Sequence, residues 1–413
     1  MVRLLESKIV IVSAARTPVG RFDGILARHD AVELGAHAIR AAVQKVGLNP
    51  AQVDTVSMGI VVSCGYGEAP AKEAALRAGL PETVHTRAME SVCGSALDAI
   101  CVTSEMVLCG ASRIAVAGGM ESRSNAPYLL GPRFWKKAGP YDPGMRVKVK
   151  RAGAYRFAFG EDLEQQLSAV EIKDATAHDG LFWAREKKFM REYALAFAKK
   201  MGYSVEQVNE LAADSHRKAR QATESGALAE EIVPVGDASR DELVSEEDQR
   251  RVIEEKPDDI ASAFNTSVPA DGGAAVVLTT PQTARELGLP VMARILGYAR
   301  LDGAAADFLG RPVDAVAELR GALEQSGDKE PFEIIEANEA FGVQLPLFFE
   351  AFSPMKINVH GGAIALGHPF GAAGARILTT LLHAMKRYRH KRGIATICFG
   401  SGGAYAIAVE RQV

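Results

Sequence analysis

Two stretches far apart in this chain follow one pattern. In the first, Glu90-Ser91-Val92-Cys93-Gly94-Ser95-Ala96-Leu97-Asp98-Ala99-Ile100 sets a cysteine between an apolar lead-in and small residues that open a helix. A helix is expected over 96–108, ended by Gly110, and then a strand that runs into Gly118-Gly119. In the second, a small-residue loop from Gly361 to Gly374 carries His368 and opens a helix over 375–385. A strand over 394–398 follows, then Phe399-Gly400-Ser401-Gly402-Gly403 and a last strand over 404–409. His368 thus stands where Cys93 stood. Identity between the two stretches is poor, so what repeats is the pattern. Such a chain is expected to be α/β, with two similar halves facing each other across a site.

The rest of the chain fits this frame. Strands are expected over 9–13, 53–62, 274–278 and 333–336, and helices over 31–46, capped by Asp30, and over 69–78. Asp271-Gly272-Gly273 is read as preceding its strand. Between the halves the composition shifts. Residues 128–177 read as irregular, with a basic stretch of Arg146, Lys148, Lys150, Arg151 and Arg156; an amphipathic helix over 205–225 and a charged run over 237–259 follow. The expected organisation is an N-terminal half over 1–124 and 260–285, an inserted loop domain over 125–259, and a C-terminal half over 286–413.

A cysteine at a helix N-terminus gains thiolate stability from unpaired N–H groups, so a lowered pKa is expected for Cys93. Alone the signal is weak, because a helical cysteine is commonly just a small buried residue. The other cysteines are Cys64, Cys101, Cys109 and Cys398. Their odd number, with Cys93, and their scatter argue against disulfides or structural zinc. Cys101 and Cys109 are expected to be buried, and Cys64 is unassigned. The histidines form no ligand-spaced cluster, so no metal is expected, and His360 is read as structural. A net charge of −3 makes no case for nucleic acid or an anionic membrane. No apolar run reaches transmembrane length, and the first residues pass directly into a strand, leaving no room for a targeting peptide. A cytoplasmic enzyme is the expectation.

Ser91-Val92-Cys93-Gly94-Ser95, Gly118-Gly119-Met120-Glu121-Ser122, Asn338-Glu339-Ala340-Phe341, Gly367-His368-Pro369 and Cys398-Phe399-Gly400 occur in that order. Together they resemble the thiolases, the acetyl-CoA acyltransferases, from about residue 9 to the end, with weak matching in the middle block. The resemblance implies a layered α-β-α-β-α fold and a reaction that moves an acyl group between acyl-CoA and CoA. It implies Cys93 as nucleophile forming an acyl-enzyme, His368 as its base, and Cys398 as the acid or base at the α-carbon of the second acyl-CoA. A thiol suits that last role because its ordinary pKa of about 8.5 lies near working pH. It assigns one oxyanion to the N–H groups of Cys93 and Gly400, and the enolate to His368 with a water held by Asn338. Ser267, Ala340 and Phe341 align with the CoA tunnel and Met190 with the acyl pocket. CoA and acyl-CoA are then substrates, no cofactor is needed, and the expected assembly is a homodimer or homotetramer.

Several positions depart from the familiar pattern. Glu90 replaces an asparagine, Phe189 a histidine and Arg191 a glycine. Asn265-Thr266-Ser267-Val268 replaces Asn-Ala-Ser-Gly, and Phe308 stands near an expected acyl-pocket methionine. The segment between Gly119 and Asp179 is longer than usual. These changes lead us to expect altered acyl or CoA recognition, and the basic stretch 146–156 is either a solvated hairpin or a contact for CoA phosphates. Two rival readings are a non-catalytic thiolase-like scaffold and an acyl-carrier-dependent condensing enzyme. Retention of Cys93, His368, Cys398 and Asn338 argues against the first, and Cys398 with Asn338-Glu339-Ala340-Phe341 against the second.

Overall fold

The computed structural model of the chain describes residues 1–130, 149–151, 154–155, 172–244 and 257–412. The N-terminal half runs β1 (Val2–Arg16), α1 (Ala31–Gln44), β2 (Thr55–Gly59), α2 (Pro70–Arg77), β3 (His85–Met89), α3 (Ser95–Leu108), β4 (Ile114–Ser122) and β5 (Ala270–Thr279). Between β4 and β5 lie the insertion helices α4 (Met190–Met201) and α5 (Val205–Glu224). The C-terminal half repeats the series as β6 (Ala293–Leu301), α6 (Arg311–Gln325), β7 (Ile334–Ala337), α7 (Leu345–Phe352), β8 (Lys356–Ile357), α8 (Ala373–Tyr388), β9 (Arg392–Phe399) and β10 (Gly403–Glu410).

Strand order carries the same repeat, β3-β2-β4-β5-β1 in one half and β8-β7-β9-β10-β6 in the other. In each half the first three strands of that order are parallel and the last three antiparallel. Antiparallel pairing of β1 with β6 joins the two sheets. Helices α3 and α8 are buried along most of their length. One apolar core gathers Leu97 and Ile100 of α3, Leu378 and Leu381 of α8, and residues of both sheets, such as Val276 and Ile397. A second core lies under α1 and α2, and a third under α6 and α7. The layers are therefore helices, sheet, central helices, sheet, helices. Each fully buried leucine or isoleucine in them contributes roughly 1.5–3 kcal/mol.

Local chemistry sets the start of some elements. Asp30 caps α1: the Glu33 N–H donates to Asp30 Oδ1 at 2.7 Å and the Asp30 N–H to Glu33 Oε2 at 3.2 Å. The central helices meet near their N-termini because Gly374 has no side chain; a Cβ there would lie 2.6 Å from the Leu97 nitrogen. The insertion is tied to β1 by buried Arg16, whose Nε meets Glu231 and Nη1 meets Asp241, each at 2.7 Å. Removing one partner of such a buried group costs about 3–5 kcal/mol.

Some expectations need correction. The first strand begins at Val2 rather than residue 9, because Val2, Arg3 and Leu4 pair with β6 ahead of an irregularity in register. β3 and β6 were not foreseen; β3 is mostly exposed and lacks the apolar run that marked the others. Asp271-Gly272-Gly273 lies inside β5, not before it. A Cβ on Gly273 would lie 2.5 Å from the Leu34 carbonyl oxygen of α1, so this glycine serves helix-on-sheet packing. Cys101 is buried but Cys109 is exposed, beyond the end of α3. Of the basic stretch, Arg146, Lys148 and Arg156 lie outside the described residues, and so do 245–256 of the charged run.

Candidate active site

The approach to α3 is a strained elbow. Val92 has φ of 49°, a left-handed backbone that a β-branched residue rarely adopts. Four hydrogen bonds hold it there. The Val92 N–H donates to Glu90 Oε1 at 3.0 Å, and the Ser91 N–H to Ser95 Oγ at 2.8 Å. The Ser95 hydroxyl donates to the Val92 carbonyl, and the Ser91 hydroxyl to Asp98 Oδ2, both at 2.6 Å. Backbone strain over-determined in this way is typical of functional turns. Gly94 completes the elbow, since a Cβ there would lie 2.8 Å from the Tyr405 ring. Glu90, one of the departures, thus acts locally as a brace.

Cys93 leaves this elbow into a cavity of about 640 Å³. His368 enters from the equivalent loop of the other half, fixed by its N–H donating to the Val268 carbonyl at 2.8 Å. Cys398 and Gly400 reach the same cavity from the end of β9 and the turn after it. Ser267, Met190, Ala340 and Phe341 line its walls, and the Ser267 N–H donates to the Ala340 carbonyl at 3.1 Å. Gly400 packs against Met190: a Cβ would lie 2.6 Å from the Met190 sulfur. Among the described residues, nothing hydrogen-bonds to either ring nitrogen of buried His368. Asn338 is not among the lining residues, yet it is buried just past β7, and among the described residues neither of its side-chain amide atoms has a hydrogen-bond partner. Unsatisfied buried groups cost about 1–3 kcal/mol each, a cost that a polar ligand atom removes.

The thiols depart from the sequence expectation. Burial pushes Cys93 well up, neighbouring Cys398 adds to this, and Arg123 opposes it. Helix-terminal stabilisation does not win, because the Gly94 and Ser95 N–H groups are engaged by the carbonyls of Ser91 and Val92. Burial likewise pushes Cys398 up to about 12, opposed by the Gln344 side-chain N–H, 3.6 Å from its sulfur. Both cysteines are therefore thiols at neutral pH, and each needs a base to become a nucleophile or to exchange a proton.

Burial, aided by the charges of Arg123 and Arg376, lowers His368 to about 3. The ring is neutral at working pH and free to accept a proton. Burial therefore moves the protonation of this ring, which would remove the base, far below the ordinary histidine range, to pH near 3. The rate of Cys93 acylation is expected to show no inflection near pH 6.5. A histidine with its ordinary pKa would lose about tenfold between pH 7.5 and 5.5. Measured kcat/KM across that range, which reports the free protein's groups, checks this; a tenfold fall would refute it.

Some members of the site were not anticipated. Arg123, just past β4, lines the cavity beside Cys93 and His368. Its sequence signal was only a lone arginine following a strand with paired glycines. Gln344 holds the Leu309 carbonyl at 3.0 Å as well as facing Cys398. Glu121 accepts from the N–H groups of Val61, Val62 and Gly371, tying loops from both halves together. Glu339 accepts from the Ser215 hydroxyl, the Asn358 side-chain amide and the Ile364 N–H, joining the insertion to the C-terminal half. Among the departures, Phe308 lies in the cavity wall with its ring edge-on to Tyr193 and Phe341. Phe189 is exposed at the rim, and Arg191 pairs with Asp259 at 2.5 Å. Among the described residues no cluster of three or more His, Cys, Asp or Glu side chains could hold a metal.

Comparison with known proteins gives consistent matches over nearly the whole length. Residues 9–282 match the family model for the thiolase N-terminal domain, and residues 289–411 that for the thiolase C-terminal domain. The chain is 37% identical to an acetyl-CoA acetyltransferase of Pseudomonas aeruginosa, over 98% of this chain and 99% of that protein. An acetyl-CoA acetyltransferase of Escherichia coli K12 is also 37% identical, over 97% and 98%. The solved structure of the Acat5 thiolase from Ascaris suum in complex with coenzyme A superposes with a TM-score of 0.82 at 32% identity, covering 98% of this chain and all of that one. The acetyl-CoA acetyltransferase of Bacillus anthracis gives 0.83 at 30% identity, covering 98% and 99%.

Proposed function

The chain belongs to the thiolase family, and we propose that Cys93 carries the acyl group in its reaction. It is an acyltransferase that moves an acyl group between acyl-CoA and CoA, by thiolytic cleavage of a 3-oxoacyl-CoA or by the reverse Claisen condensation. In cleavage, Cys93 gives its proton to His368 and its sulfur attacks the 3-oxo carbonyl. The N–H groups of Cys93 and Gly400 receive the oxyanion. The bond between the α- and β-carbons then breaks, leaving the acyl group on Cys93 and the enolate of an acetyl-CoA. That enolate is faced by His368 and a water on Asn338, and it takes a proton from Cys398. Free CoA then gives its proton to the Cys398 thiolate and attacks the acyl-cysteine, and the departing Cys93 sulfur takes its proton back from His368 as the shortened acyl-CoA leaves.

The observation that carries this assignment is the meeting of two loops, one from each half, at a single cavity. They bring a thiol, a neutral imidazole with no other partner and a second thiol together. Ser267, Ala340 and Phe341 line the path of the pantetheine arm and Met190 the acyl pocket. The organisation that goes with it is an N-terminal half over 1–124 and 260–285, an inserted loop domain over 125–259 contributing to CoA binding, and a C-terminal half over 286–413. The changed surroundings at Phe189, Arg191 and Phe308 favour an acyl preference different from that of a two-acetyl enzyme, within fatty-acid metabolism. Intact mass after mixing with a panel of acyl-CoA thioesters tests the assignment. An acyl adduct on the wild type that is absent from Cys93→Ala is the expected result; folded wild-type protein that takes no acyl group from any thioester refutes it.

The chain works as a homodimer or homotetramer in the cytoplasm. What supports the first is β3, an exposed strand that, among the described residues, ends the sheet with one edge unpaired and so offers a pairing surface to a second copy. Light scattering is expected to give at least twice the chain mass; a monomer at micromolar concentration would refute this. What supports the second is that no helix among the described residues is long and apolar enough to cross a membrane. Cell fractionation checks it, and recovery with membranes or within an organelle would refute it.

A further inference from the structure

Among the described residues, Arg123 is a buried cation that no carboxylate meets in a salt bridge. It is 5% exposed, lines the cavity with Cys93 and His368, and holds its guanidinium 4.0 Å over the Phe370 ring. Its Nε is buried without a partner, and among the described residues no side chain accepts a hydrogen bond from it. The carboxylates near enough to feel its charge are committed elsewhere. Glu121 is held by three backbone N–H groups, Asp174 by the Thr176 N–H at 2.8 Å, and Asp271 by the Ser124 N–H at 3.0 Å. Burial lowers Arg123 to about 10, which still leaves it charged at neutral pH. An uncompensated buried cation is costly unless an anion arrives to pair with it.

The surroundings indicate which anion. The neighbouring cavity wall is largely apolar, formed by Leu181, Met190, Phe308, Phe341 and Phe370. A guanidinium held over a ring still presents a fork of N–H groups suited to both oxygens of a carboxylate. The thioester reacts at Cys93, so the part of the substrate that lies deepest beside it is the acyl group. We propose that this acyl pocket takes an acyl group bearing a carboxylate, and that Arg123 binds that carboxylate. The proposal rests on Cys93 as nucleophile and leaves the bond changes of the reaction as they stand. The rival role for Arg123 is general support of the Cys93 thiolate or the oxyanion, which would act on every acyl-CoA alike.

Single-turnover acylation followed by intact mass separates the two. Succinyl-CoA and glutaryl-CoA serve as carboxylated donors, with butyryl-CoA and valeryl-CoA as neutral counterparts. In the wild type at least one carboxylated donor is expected to acylate at least about tenfold faster than its neutral counterpart. In Arg123→Met that ratio is expected to fall by at least about tenfold, roughly 1.4 kcal/mol, with Arg123→Lys in between. Equal losses on both kinds of donor would overturn the proposal and assign Arg123 the general role. A wild type that reacts faster with the neutral donors would overturn it without need of a variant, so the test survives a misfolded Arg123→Met. Adducts from neutral donors alone leave the Cys93 assignment standing; no adduct from any donor removes both.

Discussion

Alanine in place of Cys93 is expected to lower turnover by roughly 10,000-fold or more, as loss of a covalent nucleophile does elsewhere, while the protein still folds. The second half of that expectation follows from the elbow. Its bonds run among Glu90, Ser91, Val92, Ser95 and Asp98, and none of them uses the Cys93 sulfur. Cys93 is also only partly covered, being in the cavity wall, so trimming it opens no closed void in the core. Steady-state thiolysis with a matched thermal melt reads both. Turnover within tenfold of wild type would remove Cys93 from the chemistry; a collapsed melting temperature would mean that the elbow argument is wrong.

Alanine at Cys398 is expected to divide the reaction. Acylation of Cys93 by a simple acyl-CoA moves no proton at an α-carbon, so the adduct should still form. Cleavage and condensation both need that proton, and they are expected to fall by roughly 100- to 10,000-fold, the usual worth of a positioned acid or base. The local frame should hold, because Gln344 keeps the Leu309 carbonyl and the Phe341 N–H after the sulfur is gone. Cys398 is buried with its thiol pushed far up, so at neutral pH it begins as the proton carrier that cleavage requires. An adduct lost together with turnover would assign Cys398 to acylation instead. Full thiolysis with the adduct intact would remove it from the proton step.

The doubled architecture was legible because it is written in spacing: small-residue loop, reactive side chain, apolar helix, strand, paired glycines. Helix α3 carried the clearest signal, being rich in small and apolar residues. β3 was hidden because an exposed edge strand need not carry an apolar run, and the start of β1 because its pairing partner lies some three hundred residues away. In the site, residue types were readable but their protonation was not. The sequence places Cys93 at a helix start, which argues for a lowered pKa; only the fold reveals that burial prevails and that the first N–H groups are already engaged. Arg123 was illegible for the same kind of reason. A lone arginine after a strand carries no mark of being buried and set over the ring of Phe370, a residue contributed by the other half.

The matching order of elements in the two halves places Cys93 and His368 at equivalent points, each between the third strand and third helix of its series. Were the halves separate copies of one chain related by a twofold axis, that meeting point would hold two identical residues. Two cysteines would lack a base, and two histidines a nucleophile. Joining the copies in one polypeptide breaks this symmetry, because each loop can then differ from its counterpart while both keep the shared scaffold. Fusion is thus what allows a donor and an acceptor to face each other here, and the complementary pair is a consequence of covalent linkage rather than of either half alone.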